Sequence, residues 1–465
     1  MGSVLRAAGP FNVKKIAIIG AGPAGMAVAK FLIAEEYFEK IDIYEQQSEV
    51  GGVWNYTPKE GEKVPVPSTS PNVPPEKPFW PDGAKAPIFP NPMYEHLNTN
   101  IPKRLMAYSD LEFLPESLLF PTRQDVQDYL IRYSQDIRSL ISFTTQVEDI
   151  RSLEGSRWEL TARSTVTGKS TKALYDAVIV SNGHYSVPFI PSVAGIEAFN
   201  TAYPNIITHS KIYRSPEVFV NKKVIVVGSG ASGLDISTQI SLVCQKPLLN
   251  SVRTTSLLQF GQENKKEVPP IDEYLVEERG VRFEDGRIEK DIDAIVYATG
   301  YFYSYPFLKS LDPRVLKNGR RVMGLYQHIF SIDHRTLAFM ALPQKVNPFP
   351  ISEVQAAALS KVWSNRLDLP TKEEMITWEK KRAVEAGDGT GFHKMGFPAD
   401  AEYLNYLHDL VKPCGFKKEP TYWDAELLWF RKIYVDIRKK FIEEGGVAKT
   451  VEELGFRYDE RDDVE

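Results

Sequence analysis

The sequence predicts an α/β protein with two dinucleotide-binding domains of the Rossmann type, one inserted into the other. Two glycine-rich motifs support this prediction, GAGPAG at residues 20–25 and GSGASG at residues 228–233. Each motif follows a short β-branched run that is typical of a buried parallel strand, and each leads into a helical pattern. A strand, a tight glycine turn and a helix in that order form the unit that binds a dinucleotide.

The three glycines of the first motif have different purposes in such a unit. Gly20 allows the turn, Gly22 lets a pyrophosphate approach the backbone, and Gly25 lets helix and strand pack closely. A helix is predicted over residues 23–31. Its amino end offers free N–H groups and positive dipole to the phosphates.

An acidic residue completes the first motif. A second strand, predicted over residues 41–44, ends in Glu45, 20 residues beyond Gly25. At this spacing a carboxylate accepts the ribose hydroxyls of a dinucleotide. The alternative interpretation is a glycine turn that only packs a helix.

The residue 20 positions after the last glycine distinguishes the second motif from the first. Arg253 stands there, with Thr254 and Thr255 after it. An arginine suits a ribose 2′-phosphate, whereas a carboxylate favours a free 2′-hydroxyl. The second site is therefore predicted to prefer NADPH over NADH. Lys246 is a second candidate for the phosphate contact, and a solvated surface role for Arg253 is the alternative.

Composition excludes several other classes of protein. The chain has 56 Lys and Arg against 61 Asp and Glu, a net charge of −5, so no nucleic-acid partner is expected. Only Cys244 and Cys414 are present, which excludes a disulfide scaffold and a CxxC redox pair. The seven histidines lack metal-binding spacing, and no metal is expected.

Signals for membranes and secretion are also missing from the sequence. No apolar run approaches the roughly 18 residues that span a bilayer, and residues 1–10 lack a signal-peptide core. We therefore expect a cytoplasmic protein without a transmembrane segment; peripheral contact with a membrane stays open. The sequence is compatible with a homo-oligomer.

Two strand ends mark where the chain crosses between domains. A strand predicted over residues 177–180 runs into SNGHYSVP, and one predicted over residues 292–296 runs into YATGYF. Glycine at each strand end permits a close passage of the backbone. We predict a first domain of residues 1–187 and 303–465, interrupted by a smaller domain of residues 188–302.

Other segments supply strands, packing helices and one unusual loop. Residues 64–94, the wrapped loop, are rich in proline, yet their large apolar side chains indicate an ordered segment. Strands are predicted over residues 141–147 and 158–163, and helices over residues 122–135, from about 352, over 371–386 and over 424–444.

Two further motifs allow more than one interpretation. Gly52, Val53 and Trp54 follow the first unit, and the indole of Trp54 suits either the flank of a flavin or the core. Thr99 and Asn100 stand before a proline, where an Asx-type turn competes with a role in a site.

Together the motifs resemble those of the flavin-containing monooxygenases, and most of all the yeast and fungal members. GAGPAG with Glu45, GGVW, TN at residues 99–100, SNGHY, GSGASG and YATGY occur in the family's order over almost the whole chain. The family's FxGxxxHxxxY signature falls on Tyr203, Asn205, His209 and Tyr213. Its histidine and tyrosine are kept, whereas its phenylalanine and glycine are replaced.

The resemblance implies an enzyme that binds FAD in the first domain and NADPH in the second. NADPH would reduce FAD, and molecular oxygen would then add to give a C4a-hydroperoxyflavin that oxygenates a small amine, thiol or thioether. Asn100 is then the expected catalytic side chain. His209 suits a structural role as well as a catalytic one.

The predicted cofactor-binding residues are Gly20, Gly22, Pro23, Ala24, Gly25, Glu45, Gly52, Val53, Trp54, Thr99, Asn100, Val147, Gly228, Ser229, Gly230, Ala231, Ser232, Gly233 and Arg253. Two other functions stay open at this point. One is a reductase or oxidase that passes electrons to a quinone or protein acceptor, and the other is a cofactor-bound scaffold without activity. NADPH consumption and an oxygenated product distinguish the three.

Overall fold

The computed structural model describes residues 11–58, 63–155, 157–253, 262–311 and 317–459. The predictions for residues 1–10, Thr254 and Thr255 lie outside these ranges. The strands are β1 Lys15–Ile19, β2 Lys40–Tyr44, β3 Ile141–Ser142, β4 Thr145–Leu153, β5 Arg157–Ser164, β6 Ser170–Tyr175, β7 Ala177–Val180, β8 Val187–Pro188, β9 Ile207–His209, β10 Val224–Val227, β11 Leu248–Ser251, β12 Lys265–Val268, β13 Ile271–Leu275, β14 Gly280–Phe283, β15 Ile288–Glu289, β16 Ala294–Tyr297, β17 Tyr301–Phe302, β18 Leu325–Tyr326, β19 Phe330–Ser331 and β20 Leu337–Phe339. The helices are α1 Pro23–Ala34, α2 Lys103–Met106, α3 Arg123–Tyr133, α4 Ile196–Ala202, α5 Ala231–Ser241, α6 Pro348–Trp363, α7 Lys372–Ala386, α8 Ala399–Val411 and α9 Ala425–Glu443.

The first sheet has seven strands in the order β18-β19-β20-β7-β1-β2-β3. The five strands from β20 to β3 run parallel, and β19 and β18 extend the sheet antiparallel. Apart from Lys15, the residues of β1 and β7 are buried, as expected for central parallel strands covered on both faces. The first glycine motif therefore opens at the centre of the sheet's carboxyl edge.

The second sheet has five parallel strands in the order β12-β11-β10-β16-β9. The second glycine motif follows β10, which again lies in the centre of its sheet. An open parallel sheet with a glycine turn after its central strand is the architecture that binds a dinucleotide. The predicted fold class is confirmed.

The chain passes between the two sheets through a short antiparallel ribbon of β8 and β17. Val187 lies opposite Phe302, and Pro188 opposite Tyr301. The predicted boundaries at 187/188 and 302/303 fall within this ribbon, and the division into domains stays our prediction.

Separate hydrophobic cores cover the two faces of the first sheet. On one face α1, α3, α6, α8 and α9 share a core, in which fifteen of the sixteen residues of α6 are buried. On the other face the antiparallel sheet of β4, β5 and β6 packs with residues 303–311 and residues 322–325. Among the described residues, no helix is both long enough and apolar enough to cross a bilayer.

The structure differs from the predicted elements in places. α6 begins at Pro348, not near residue 352, because prolines are tolerated in the first helical turn, where no N–H partner is needed. The strand predicted over residues 141–147 is divided at Thr144, whose φ is 48°. Its first part joins the first sheet and its second part begins β4. Helix α8 and strands β11 to β13 were missed.

Candidate active site

The first glycine motif forms a turn that the neighbouring backbone constrains closely. Gly20 has a φ of 99°, and a Cβ on it would lie 2.7 Å from the carbonyl oxygen of Ser181, which directly follows the neighbouring strand β7. A Cβ on Gly25 would collide with the carbonyl oxygen of Gly20. The fold itself therefore requires both glycines.

Gly22 differs from these two glycines because protein packing does not require it. Its backbone is extended, and a Cβ there would meet only the Gly52 backbone, at 3.5 Å. Among the described residues, no side chain caps the amino end of α1, which begins directly after Gly22. An open backbone face beside uncapped N–H groups fits the pyrophosphate of a dinucleotide.

Glu45 connects this turn to the end of β2. Its side chain is 5% exposed, with one carboxylate oxygen accepting from the Ala21 N–H at 2.8 Å and the other from the Gln47 N–H at 2.8 Å. Burial raises the pKa of Glu45, and these backbone N–H groups oppose that shift. A carboxylate has about four acceptor sites in all, so capacity remains for a ribose hydroxyl.

A cavity of about 680 Å³ opens in front of the motif and Glu45. Nine predicted residues line it, namely Gly20, Gly22, Pro23, Ala24, Glu45, Gly52, Val53, Trp54 and Val147. Gly25 lies behind the turn, where it packs α1 on β1. The first turn of α6 also reaches the cavity through Pro348, Phe349 and Ser352.

The wrapped loop and the first crossing supply much of the remaining wall. Residues 73–77, residues 90–92 and residues 181–188 all line the cavity. The sequence indicated that the wrapped loop is ordered, but it gave no sign that the loop closes a site. Only the fold brings these segments opposite the glycine motif.

Thr99 and Asn100 lie away from the lining of this cavity. Thr99 is buried, and its N–H donates to the Pro121 carbonyl at 2.9 Å while its hydroxyl donates to the Ile101 carbonyl at 2.8 Å. The side chain of Asn100 is exposed just before α2. The catalytic role of Asn100 stays a prediction.

The second glycine motif repeats the geometry of the first. Gly228 has a φ of 121°, and a Cβ on it would lie 2.6 Å from the Ala298 carbonyl oxygen. A Cβ on Gly233 would collide with Gly228, whereas Gly230 has nothing within 4 Å. Ala231 and Ser232 are exposed at the amino end of α5, and Ser229 is half-buried in the turn. This motif and Arg253 lie outside the lining of the first cavity.

A family model described as flavin-binding monooxygenase-like matches residues 79–266 and 265–423, and one described as an NAD(P)-binding Rossmann-like domain matches residues 18–72. The chain belongs to the flavin-containing monooxygenase family. This membership fits the two glycine turns, in each of which the middle glycine precedes a helix with no side-chain cap among the described residues.

Individual relatives agree with the family match. The thiol-specific monooxygenase of Saccharomyces cerevisiae is 32% identical over 437 residues, 90% of either chain. The flavin-containing monooxygenase FMO GS-OX4 of Arabidopsis thaliana is 31% identical over 90% of this chain and 88% of its own. The solved structure of S-allyl-L-cysteine S-oxygenase from Allium sativum has a TM-score of 0.75 and 27% identity, and 97% of each chain is covered.

This flavin-containing monooxygenase is therefore an NADPH-dependent oxidoreductase that uses FAD and molecular oxygen to oxygenate nitrogen or sulfur. Its glycine motifs are the features that fit the two dinucleotides. The reductase and scaffold alternatives are set aside by the family membership.

The two candidates for the 2′-phosphate contact lie at opposite ends of β11 in the monooxygenase. Arg253 follows the strand on the side of the glycine motif, whereas Lys246 precedes it. Arg320, which the sequence analysis missed, adds a cation near Arg253. Its guanidinium lies 3.7 Å from the centre of the Phe189 ring, and burial together with the charge of Arg253 lowers the pKa of Arg320.

His209 has both ring nitrogens engaged in the enzyme's domain crossing. Its side chain is 0% exposed, its Nδ1 accepts from the backbone N–H of Lys211 at 3.0 Å, and its Nε2 lies 3.2 Å from the Gly300 carbonyl oxygen. Nε2 therefore carries the proton. Burial lowers the pKa of His209 to about 3, so the ring is neutral and its contacts are those of a structural residue.

Proposed function

We propose that this flavin-containing monooxygenase oxygenates the sulfur of small thiols or thioethers. The supporting observation is that two relatives, found by sequence and by structure, are named for sulfur substrates: the thiol-specific monooxygenase of yeast and the S-allyl-L-cysteine S-oxygenase of Allium sativum. Both are covered over at least 90% of their length by this chain.

The carboxylates and the histidine that line the cavity support a substrate that reacts through a lone pair and needs no strong base. Among the described residues, the carboxylates that line it are Glu45, which accepts two backbone N–H groups, and Glu76, which is paired with Lys211. Burial lowers the pKa of His184, the histidine in the lining, to about 4, so that it is a weak base. Bound FAD, reduced by NADPH, supplies the activated oxygen.

The remaining task of the protein is to hold the cofactors and exclude water. We assign the FAD phosphates to Gly22 and the amino end of α1, and a ribose of FAD to Glu45. We assign NADPH to Gly230 and the amino end of α5, with Arg253 at its 2′-phosphate. The catalytic role of Asn100, the cytoplasmic location and any homo-oligomer stay predictions from the sequence.

Product analysis under ¹⁸O₂ tests the proposed sulfur chemistry. The FAD-loaded enzyme is supplied with NADPH and, separately, a small thiol, a thioether and a tertiary amine of similar size. We expect ¹⁸O in the sulfoxide formed from the thioether. From the thiol we expect a disulfide and ¹⁸O-labelled water, because the sulfenic acid condenses with a second thiol. Both sulfur compounds should react with a kcat/KM at least about tenfold above that for the amine, equivalent to about 1.4 kcal/mol in the barrier.

The control is Glu159→Gln, a change on the exposed face of β5 that leaves the cavity intact. It should behave as the wild type does. Preferred oxygenation of the amine, or NADPH oxidation that yields only H₂O₂ with every sulfur compound, would contradict the proposal.

A further inference from the structure

The wrapped loop forms a wall of the cavity but has few polar attachments along its middle. Among the described residues, every hydrogen bond and ion pair that joins residues 72–88 to a part of the chain outside the wrapped loop involves Glu76. Its backbone carbonyl accepts from Gln146 Nε2 at 3.3 Å, and its Oε1 accepts from Lys211 Nζ at 2.6 Å. Glu76 is therefore the residue that attaches the middle of the wrapped loop to the rest of the chain.

Lys211 makes the stronger of these two attachments. Its side chain is 12% exposed, and its ammonium donates a second hydrogen bond to the Ser186 carbonyl at 2.6 Å. Glu76, Ser186 and Lys211 all line the cavity. A mostly buried ammonium keeps its charge only when strong acceptors replace water, and these two short charge-assisted bonds do so.

The contacts of Lys211 connect three separate parts of the chain. Glu76 belongs to the wrapped loop, Ser186 to the first crossing, and Lys211 to the segment after β9 in the second sheet. The backbone N–H of Lys211 also donates to His209, which contacts Gly300 in the second crossing. The contact that holds the wrapped loop is thus connected, through His209, to the two crossings between the sheets.

We propose that Lys211 is a positioning residue whose ammonium holds the wrapped loop closed over the cavity and so keeps water from the oxygen-transfer site. This inference rests on the proposed function. When the wrapped loop opens, each NADPH, with one proton from solvent, reduces one O₂ to one H₂O₂. No oxygen atom is then transferred to the substrate. Loss of the ammonium therefore diverts electrons from product to H₂O₂ without blocking the oxidation of NADPH.

The substitution Lys211→Met tests the proposal, because it keeps the length of the side chain and removes the charge. Two quantities are measured: the H₂O₂ formed per NADPH with a sulfur substrate present, and amide hydrogen exchange of residues 72–88 in FAD-loaded and FAD-free protein. Since a hydrogen bond to a charged group is lost, we expect both the H₂O₂ yield relative to product and the exchange rates to rise about tenfold.

A matched control is Lys172→Met, which removes an ion pair of the same type, to Glu159 at 2.8 Å, on the exposed edge of β6. It should change neither quantity. Lys211→Arg should retain part of the coupling between NADPH oxidation and product formation. Glu76→Gln, which keeps an acceptor without its charge, should raise the H₂O₂ yield and the exchange rates by less than Lys211→Met does. The double variant Lys211→Met with Glu76→Gln should match Lys211→Met alone, because the pair acts as a unit.

Unchanged exchange of residues 72–88 in Lys211→Met would overturn the proposal, as would faster exchange with an unchanged H₂O₂ yield. Failure of the proposed function is distinguishable from either outcome. In that case the wild type itself forms no oxygenated sulfur product, while exchange in the FAD-free protein still reports whether Lys211 fastens the loop.

Discussion

At the scale of single residues, the glycines of each motif divide into those that the fold requires and one that it does not. Side chains on Gly25 and Gly233 would strike a carbonyl oxygen at the start of the same motif. A Cβ on Gly22 would meet only the Gly52 backbone at an ordinary contact distance of 3.5 Å, and a Cβ on Gly230 would meet nothing within 4 Å. The middle glycine is therefore explained by what binds there, and the last glycine by packing.

Alanine substitutions at Gly25 and Gly22 should separate these two roles. We expect Gly25→Ala to lower the apparent free energy of unfolding of the FAD-free protein by about 1–3 kcal/mol, the usual cost of forcing extra volume into a packed site. Gly22→Ala should change it by less than about 0.5 kcal/mol but weaken FAD binding at least about tenfold, because the methyl group occupies the space in front of the phosphates. Urea unfolding and FAD titration measure the two effects. Equal effects of both substitutions on FAD-free stability would contradict this division.

At the scale of elements, several helices begin where a side chain can accept the first free N–H groups. Thr122, Thr371 and Asp424 cap α3, α7 and α9, and the two threonines form complete capping boxes. These signals are local, so the predicted helices over residues 122–135, 371–386 and 424–444 agree closely with the structure. α6 has no side-chain cap among the described residues and begins with prolines, which is why its start was placed too late.

The capping box of α7 predicts a measurable loss of stability in Thr371→Ala. Thr371 Oγ1 accepts from the Glu374 N–H at 3.2 Å, and the Glu374 carboxylate accepts from the Thr371 N–H at 2.8 Å. Loss of this cap should cost about 1 kcal/mol in thermal or urea unfolding. Thr377→Ala is the matched control, because the Thr377 hydroxyl only donates to a carbonyl of its own helix. A cost no larger than that of the control would show that the box does not stabilise α7.

At the scale of the whole molecule, four histidines are buried in the neutral form. Burial lowers the pKa of His184 to about 4, of His209 and His328 to about 3, and of His393 well below its usual value. His393 Nε2 accepts from the Val322 N–H at 3.1 Å, so its Nδ1 must donate to His328 Nδ1 at 3.0 Å. In the folded protein His184 therefore stays neutral down to about pH 4, and His209 and His328 down to about pH 3.

The protein should therefore lose stability as the pH falls below about 6.5, where unfolded histidines take up protons and the folded ones do not. The contribution of these neutral histidines to the free energy of unfolding is fully present above this pH and is lost progressively towards pH 3. Between pH 7 and pH 5, the free energy of unfolding of His209→Asn should fall by about 2 kcal/mol less than that of the wild type, because one buried neutral histidine is removed. Urea unfolding at both pH values gives the comparison. The exposed His96→Asn should follow the wild type, and a His209→Asn curve parallel to the wild type would contradict the argument.

The cavity is also a property of the whole molecule. Its lining combines the glycine motif, residues 73–77, residues 181–188 and the first turn of α6, which are far apart in the sequence. Glu76 and Lys211 are separated by 135 positions. No spacing or periodicity connects them, so their ion pair cannot be predicted from the sequence.

The sequence by itself determined the fold class, the two cofactors, the family and the elements around both glycine motifs. It could do so because a glycine turn, a buried strand and a helix cap are fixed by residues close together in the chain. Only the tertiary structure decided which segments line the cavity, that Lys211 pairs with Glu76 of the wrapped loop, and that both ring nitrogens of His209 contact backbone groups at the domain crossing. These contacts depend on how separate elements pack, and packing is set by the whole chain and not by any one stretch of it.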